Sequence, residues 1–240
     1  MKAMIFAAGL GTRLAPLTDN KPKAMVRIAG KPMLQILIEK LVDSGFNYIV
    51  INTYHFANQI IEFVKNNDFG AEIHISDESG ILLDTGGGLK NAKKFFKPND
   101  VFLVHNVDIY SDIDLINMIN AHKTSTNIVS LAVKHRVSTK YLLFDETLRL
   151  CGWRNNTNGA EIISHERKTY DEMAFSGIYV FNYEIFDLLE KQGSFPIIPE
   201  LLQISKKHRI GGWVLDDNYI LDIGKHEAIN QCEKYLSANL

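Results

Sequence analysis

The sequence predicts an α/β protein, a doubly wound, mixed but mostly parallel sheet, in a single domain over residues 1–240. Three observations carry this. Short apolar runs alternate with amphipathic stretches of helical period through the first half. The apolar runs lack the in–out alternation of half-solvated strands, so they read as parallel strands buried on both faces. No linker, internal repeat or low-complexity segment divides the chain.

Taken in order, Lys2–Ala7 is an apolar run stopped by glycine and reads as the first strand. Pro32 opens an amphipathic stretch with Leu34, Leu37, Ile38, Leu41 and Val42 on one face, closed by Gly45. Tyr48–Asn52 is a second strand. Ile60, Ile61 and Val64 mark a second helix that fades at Asn66-Asn67-Asp68. Glu72–Ser76 is a third strand, Gly86–Phe96 a helix stopped by Pro98, and Val101–Val104 a fourth, fully apolar strand. A helix around Leu115–His122 and a strand around Ile128–Val133 complete a repeating β-α-β order. Beyond it the pattern changes. Tyr141–Gly159 holds two short strand candidates and an Asn/Gly-rich turn at 155–159, Met173–Phe181 is a strand, and Tyr183–Leu189 and Pro199–Lys207 are helices. Trp213–Leu215 and Tyr219–Ile223 read as a hairpin turning at Asp217-Asn218, before a terminal helix, Ala228–Leu236.

Twenty-six basic against 28 acidic residues leave a net charge of −2. That balance argues against nucleic acid or a membrane surface as partner, because both demand a basic excess. The two cysteines, Cys151 and Cys232, have no metal or disulfide spacing and read as reduced thiols, which fits the cytoplasm. The apolar stretch Ala3–Leu10 runs straight into Gly11-Thr12-Arg13 with no cleavage-like spacer, and so reads as a strand rather than a leader. No run approaches the roughly 18 apolar residues of a membrane span. A small-molecule enzyme, as a monomer or small homo-oligomer, is the expectation.

The densest signal follows the first strand: Ala7-Ala8-Gly9-Leu10-Gly11-Thr12-Arg13-Leu14-Ala15-Pro16-Leu17-Thr18. In doubly wound sheets ligands bind beyond the carboxyl ends of strands. The N–H groups around Gly9 and Gly11, with Thr12 and Arg13 beside them, suit a phosphate. A dinucleotide fingerprint is excluded because Leu14 stands where its third glycine belongs, and the second strand ends at Asn52 instead of an acid. A Walker A loop lacks its Gly-Lys-Ser/Thr. A ligand-free turn remains the competing reading of the glycines alone.

The continuation through Asp19-Asn20-Lys21-Pro22-Lys23-Ala24 completes a stretch that resembles the signature of the sugar-1-phosphate nucleotidyltransferases. The resemblance extends from Met1 to about Gly224 and is nearest to the short members of that family, which lack an appended β-helix. It implies a Rossmann-like nucleotidyltransferase fold and the reaction NTP + sugar 1-phosphate → NDP-sugar + pyrophosphate, a step in making NDP-sugars such as those of cell-envelope polysaccharide. It also implies that Arg13 and Lys23 are catalytic and, with Ala8, Gly9, Gly11 and Thr12, bind the nucleotide. The family proline after the lysine is here Ala24. The chemistry agrees: attack by one phosphate on another gathers negative charge, and positioning with charge neutralisation supplies most of the catalysis.

An apolar strand ending His105-Asn106-Val107-Asp108 projects its carboxylate at the same sheet edge as the glycine loop. By resemblance Asp108 holds Mg²⁺, and Asp222, in Ile220-Leu221-Asp222-Ile223-Gly224, is the late metal ligand, with Lys225 in place of the family threonine. Two carboxylates plus phosphate oxygens and water suit Mg²⁺. Asp112-Ile113-Asp114 mimics the D-x-D of metal-dependent glycosyltransferases, but Ser111 or Asp112 as a helix cap explains it better. Thr85-Gly86-Gly87-Gly88 is a second glycine cluster; by resemblance Thr85, Gly86 and Gly87 line the nucleobase. A backbone wall of that kind suits the small imide edge of uracil, which favours UTP over GTP, with CTP third. Asn106 and Gly177, the latter in Phe175-Ser176-Gly177-Ile178-Tyr179, are expected at the sugar. Ser176 is in no G-x-S-x-G elbow and is no hydrolase nucleophile. His105, at the end of a buried strand, reads as a packing residue. The family's Glu-Lys-Pro is missing, and Gly152-Trp153-Arg154-Asn155 occupies that stretch.

Residues 1–135 are thus expected to hold the nucleotide, and residues 136–240 the sugar and the second metal ligand. The competing readings are a catalytically silent ligand-sensing domain of the same fold, which would have shed Lys23 or a carboxylate, and the D-x-D glycosyltransferase, which would leave Lys23 without a purpose.

Overall fold

The apolar run after Met1 forms β1 (Lys2–Phe6). It lies at the sheet centre because it can be buried on both faces. Ala3 and Ile5 pack on one side, and Met4 and Phe6 on the other. The structure, a computed structural model, describes residues 1–78, 80–215 and 217–238. After a two-strand ribbon, β2 (Arg27–Ile28) and β3 (Lys31–Pro32), come α1 (Met33–Asp43), β4 (Tyr48–Thr53), α2 (Ala57–Lys65) and β5 (Glu72–Asp77). Then follow α3 (Asp84–Asn91), β6 (Val101–Asn106), β7 (Ile109–Ser111), α4 (Leu115–Thr124) and β8 (Val129–Lys134). β4 and β6 flank β1 in parallel, and β5 adds to β4, which is the βαβ winding expected.

The second half holds β9 (Lys140–Phe144), β10 (Leu150–Asn155), β11 (Ala160–Ile163), β12 (Asp171–Asn182), α5 (Ile185–Leu188), α6 (Ile197–Ser205), β13 (Ile210–Val214), β14 (Ile220–Asp222) and α7 (His226–Ala238). The long β12 runs antiparallel to β6 and carries β8 and β9 on its other edge. Its register shifts between Phe175 and Tyr179, where Gly177 takes a left-handed φ of 75°. Through β12 both halves share one ten-stranded sheet, ordered β11-β10-β9-β12-β6-β1-β4-β5, with β8 on β12 and β13 on β8. Helices cover both faces. Leu34, Leu37 and Ile38 of α1 and Met118 and Ile119 of α4 fill one side, and Leu89 of α3 and Leu201 and Leu202 of α6 the other. Each such side chain contributes about 2 kcal/mol by burial. A smaller cluster of Leu14, Val26, Ile28, Met33, Ile223, Ile229 and Cys232 ties the segment after the glycine loop to the last helix. No helix among the described residues is long and apolar enough to cross a membrane.

Three local expectations are corrected, and one strand went unpredicted. Trp213–Leu215 and Tyr219–Ile223 do not pair as a hairpin: β13 adds in parallel to β8, and β14 runs antiparallel to β7. Each segment finds its partner far off in sequence, where a hairpin reading cannot look. The cap of α4 is Asp114, which accepts the Asn117 N–H at 2.9 Å, rather than Ser111 or Asp112. Helix α6 starts at Ile197, with Pro199 inside its first turn, where proline costs no hydrogen bond. The short polar-edged β11 gave no strand signal at all.

Candidate active site

At the carboxyl end of β1 the chain turns into the glycine loop. A Cβ built on Gly9 meets nothing within 4 Å, so the loop backbone there faces open space. Gly11 has φ 68°, and a Cβ on it would lie 2.9 Å from that of Lys23. The Thr18 hydroxyl donates to the Gly11 carbonyl at 3.0 Å, closing the loop on itself. The following turn, Thr12–Leu14, buries Leu14 and leaves Arg13 exposed. Lys23 is only 8% exposed, because its stem packs on Gly11 and its ammonium is ion-paired with Asp108.

Asp108 lies two residues past β6, and Asp222 ends β14. The β7–β14 pairing sets Asp222 opposite Ile109, and the Ile223 N–H donates to the Asp108 carbonyl at 2.7 Å. A Cβ on Gly224 would sit 2.8 Å from both Asp222 Oδ1 and Arg13 Nη2. Its absence lets carboxylate and guanidinium converge. Partial desolvation, then the neighbouring Asp108 charge, pushes the Asp222 carboxyl above its ordinary range, while Lys23, Arg13 and Arg136 oppose the shift. Two carboxylates that repel one another at an open edge fit a divalent cation. No cluster of three or more His, Cys, Asp or Glu residues able to hold a metal occurs among the described residues. A site here would therefore draw its other ligands from phosphate and water, as Mg²⁺ usually does.

The glycine loop, Arg13, Lys23 and Asp108 border a cleft of about 500 Å³, which Asp222 itself does not line. Of the residues singled out in the sequence, Ala8, Gly9, Gly11, Thr12, Arg13, Lys23, Thr85, Asn106 and Asp108 line it, with Gly224 beside Asp222. Asn106 Oδ1 is buried without a hydrogen-bond partner, a polar atom free for a ligand. Gly86 and Gly87 do not line the cleft. Both N–H groups donate to the Phe195 carbonyl, and side chains there would drive into the Phe195 ring and the Gly193 carbonyl. The backbone wall expected to read a uracil edge is thus already engaged. Helix α3 begins at Asp84, and the Thr85 hydroxyl oxygen accepts the Ile197 N–H at 3.0 Å. Gly177 is buried, with Asn106 and Ile109 against it, one layer behind the cleft surface.

Other features of the cleft escaped the sequence reading. Asn52, Leu82, Asp84 and Ser194 also line it. Asn52 had a signal, a polar residue ending an apolar strand, but was weighed only as a missing acid. The D-x-D pair lies outside the cleft. Asp112 accepts from the Tyr219 N–H at 2.9 Å and the Tyr235 hydroxyl at 3.0 Å, and Asp114 is the helix cap. Buried His105, held by burial at a pKa of about 4, is neutral and bonds the Asn106 carbonyl through Nδ1 at 2.8 Å.

The family model described as nucleotidyl transferase matches residues 2–239. A UTP–glucose-1-phosphate uridylyltransferase of Synechocystis sp. is 31% identical over 79% of this chain and 51% of its own length. A D-glycero-α-D-manno-heptose 1-phosphate guanylyltransferase of Campylobacter jejuni is 31% identical over 95% of this chain and 96% of its own. The chain spans about half the length of several curated relatives it matches. A crystal structure of HddC from Yersinia pseudotuberculosis complexed with GMP-PN superposes with a TM-score of 0.77 at 25% identity, covering 98% of this chain and 99% of that one.

Proposed function

The chain belongs to the nucleotidyl transferase family, and from that premise we propose that it transfers a nucleotidyl group from an NTP to a sugar 1-phosphate, giving an NDP-sugar and pyrophosphate. The observation that carries this reading is the convergence of the Gly9 loop, Arg13 and the Lys23–Asp108 ion pair on one cleft, with Asp222 against Gly224 of its wall. An oxygen of the acceptor phosphate attacks the α-phosphorus in line. The new P–O bond forms as the bond to the β-phosphate bridge breaks, and pyrophosphate leaves with that electron pair. No side-chain nucleophile is required, because the acceptor is already an anion.

We assign the N–H groups from Ala8 to Thr12 to holding the nucleotide phosphates at the end of β1, and Arg13 to the charge that grows on the leaving pyrophosphate. The buried ammonium of Lys23 is fixed by Asp108 and needs no reorganisation as charge moves. Asp108 and Asp222 would hold Mg²⁺. When bound, the ion offsets the charge of two phosphates brought together. Asn106, a residue of the cleft wall, is assigned to the acceptor. The nucleotide half is thus residues 1–135, while residues 136–240 contribute Asp222 and the acceptor wall. The buried, unpaired cysteines favour a reducing compartment such as the cytoplasm. Relatives of similar length are named for uridylyl or guanylyl transfer, so the nucleotide is UTP or GTP.

Pyrophosphate release with UTP, GTP and CTP against a panel of hexose, N-acetylhexosamine, N-acetylmuramate and heptose 1-phosphates tests the reading. Turnover that needs both substrates and stops with EDTA is expected. Asp108→Asn and Asp222→Asn should each remove most of it while circular dichroism stays native. Wild-type rates in either variant at limiting Mg²⁺ overturn the metal assignment, and silence with every pair overturns the reaction.

A further inference from the structure

Three strand ends near the cleft are tied together by side chains as well as by main chain. Asn52 Oδ1 accepts the N–H of Ala7, the first residue of the phosphate loop, at 2.7 Å. Asn52 Nδ2 donates to Glu78 Oε1, also at 2.7 Å. Glu78 Oε2 in turn accepts the Leu83 N–H at 3.2 Å, directly before Asp84 and Thr85 of the cleft wall. Both side chains are 3% exposed, and Glu78 is further fixed by its main chain, whose N–H donates to the Thr53 carbonyl at 2.8 Å. A Cβ on Gly88 would lie 2.6 Å from Glu78 Oε1 and 2.9 Å from Asn52 Nδ2. The third glycine of the cluster therefore makes room for this bridge.

Resting on the nucleotidyl-transfer reading, we propose that Asn52 and Glu78 are positioning residues that lock the phosphate loop to the 82–85 wall, so that the two sides of the NTP site are set as one unit. The chain of bonds has a strict parity. Its two ends, Ala7 N–H and Leu83 N–H, are both donors. The two side chains between them must supply three acceptors and one donor. Asparagine with an ionised glutamate supplies that set. Two amides supply one donor too many, and two carboxylates supply none, so either single exchange breaks a link. The reciprocal exchange, aspartate at 52 with glutamine at 78, restores three acceptors and one donor with the middle bond reversed. A burial penalty alone has no such symmetry: burial lifts the Glu78 carboxyl above its ordinary range, and the bonds from Asn52 and Leu83 oppose the lift.

The test is steady-state pyrophosphate release with whichever of UTP or GTP the wild type turns over, alongside thermal melts. Asn52→Asp and Glu78→Gln should each raise the KM for the NTP at least tenfold, with the KM for the sugar 1-phosphate changed less than twofold. Gly88→Ala should do the same. The double variant Asn52→Asp, Glu78→Gln should return the NTP KM to within threefold of wild type. It also keeps the test decisive if a single variant fails to fold, because the double must both fold and bind. Single variants that melt earlier with unchanged KM reduce the bridge to packing and overturn the proposal, as does a double variant no better than the worse single. A wild type silent with both nucleotides defeats the transfer reading itself, and the positioning role with it.

Discussion

Two glycine clusters look alike in the sequence and do opposite things in the fold. Around Gly9 the missing side chain leaves empty space, and the loop backbone faces the cleft. Around Gly86, Gly87 and Gly88 the missing side chains are replaced by protein: the Phe195 ring, the Gly193 carbonyl and the Asn52–Glu78 pair. One cluster makes room for a ligand and the other makes room for the wall that faces it. Glycine spacing alone does not separate these cases. What separates them is which neighbours the topology delivers, and those come from 193–195 and from the ends of β4 and β5.

The contrast can be sharpened at the open cluster first, where the largest effects are expected. Arg13→Ala and Lys23→Ala should each lower kcat/KM by about 2–4 kcal/mol, the scale for loss of one preorganised donor. Their melts should differ. Exposed Arg13 should leave the melting temperature in place, whereas Lys23→Ala leaves Asp108 without its partner and should lower it. Equal melts would remove the ion pair from the account of stability. At the filled cluster, Gly87→Ala should cost about 1–3 kcal/mol of stability in urea titration, the usual penalty for overpacking, because a carbonyl and not a flexible side chain must yield. A neutral Gly87→Ala would break the comparison. Gly9→Ala should shift stability by under about 0.5 kcal/mol, since its Cβ enters open space, and should act through the KM for the NTP. A melt shift as large as that of Gly87→Ala would show the two clusters to be equivalent.

The winding of the first half was legible because β1, β4 and β6 are short apolar runs and α1, α2 and α4 repeat Leu or Ile at three- and four-residue spacing, and local periodicity is enough to see both. The loop at Gly9, Arg13 and Lys23 was legible for the same reason: its parts are adjacent in sequence. Asp108 and Asp222 were visible as strand-ending carboxylates, yet their meeting depends on β14 leaving the expected hairpin to pair with β7. Glu78 was illegible. Nothing near it in sequence marks it, and its partners Asn52 and Leu83 stand on other elements. Gly86 and Gly87 misled because a residue that admits close approach does not say what approaches.

The β7–β14 ribbon has a consequence for the order in which a working site can exist during synthesis. The phosphate loop, Lys23 and Asp108 all leave the ribosome early, and β1, β4 and β6 can pair among themselves. Asp222 arrives only near the end, and closing a contact over that stretch of chain carries a loop entropy of about 4 kcal/mol. The ribbon meets that cost with main-chain bonds from Ile220 to Asp222 and with the cluster that seats Ile223, Ile229 and Cys232 under the segment after the glycine loop. A nascent chain still short of β14 therefore carries the glycine loop and Asp108 without Asp222. The two carboxylates come together only once β14 has been made and paired with β7.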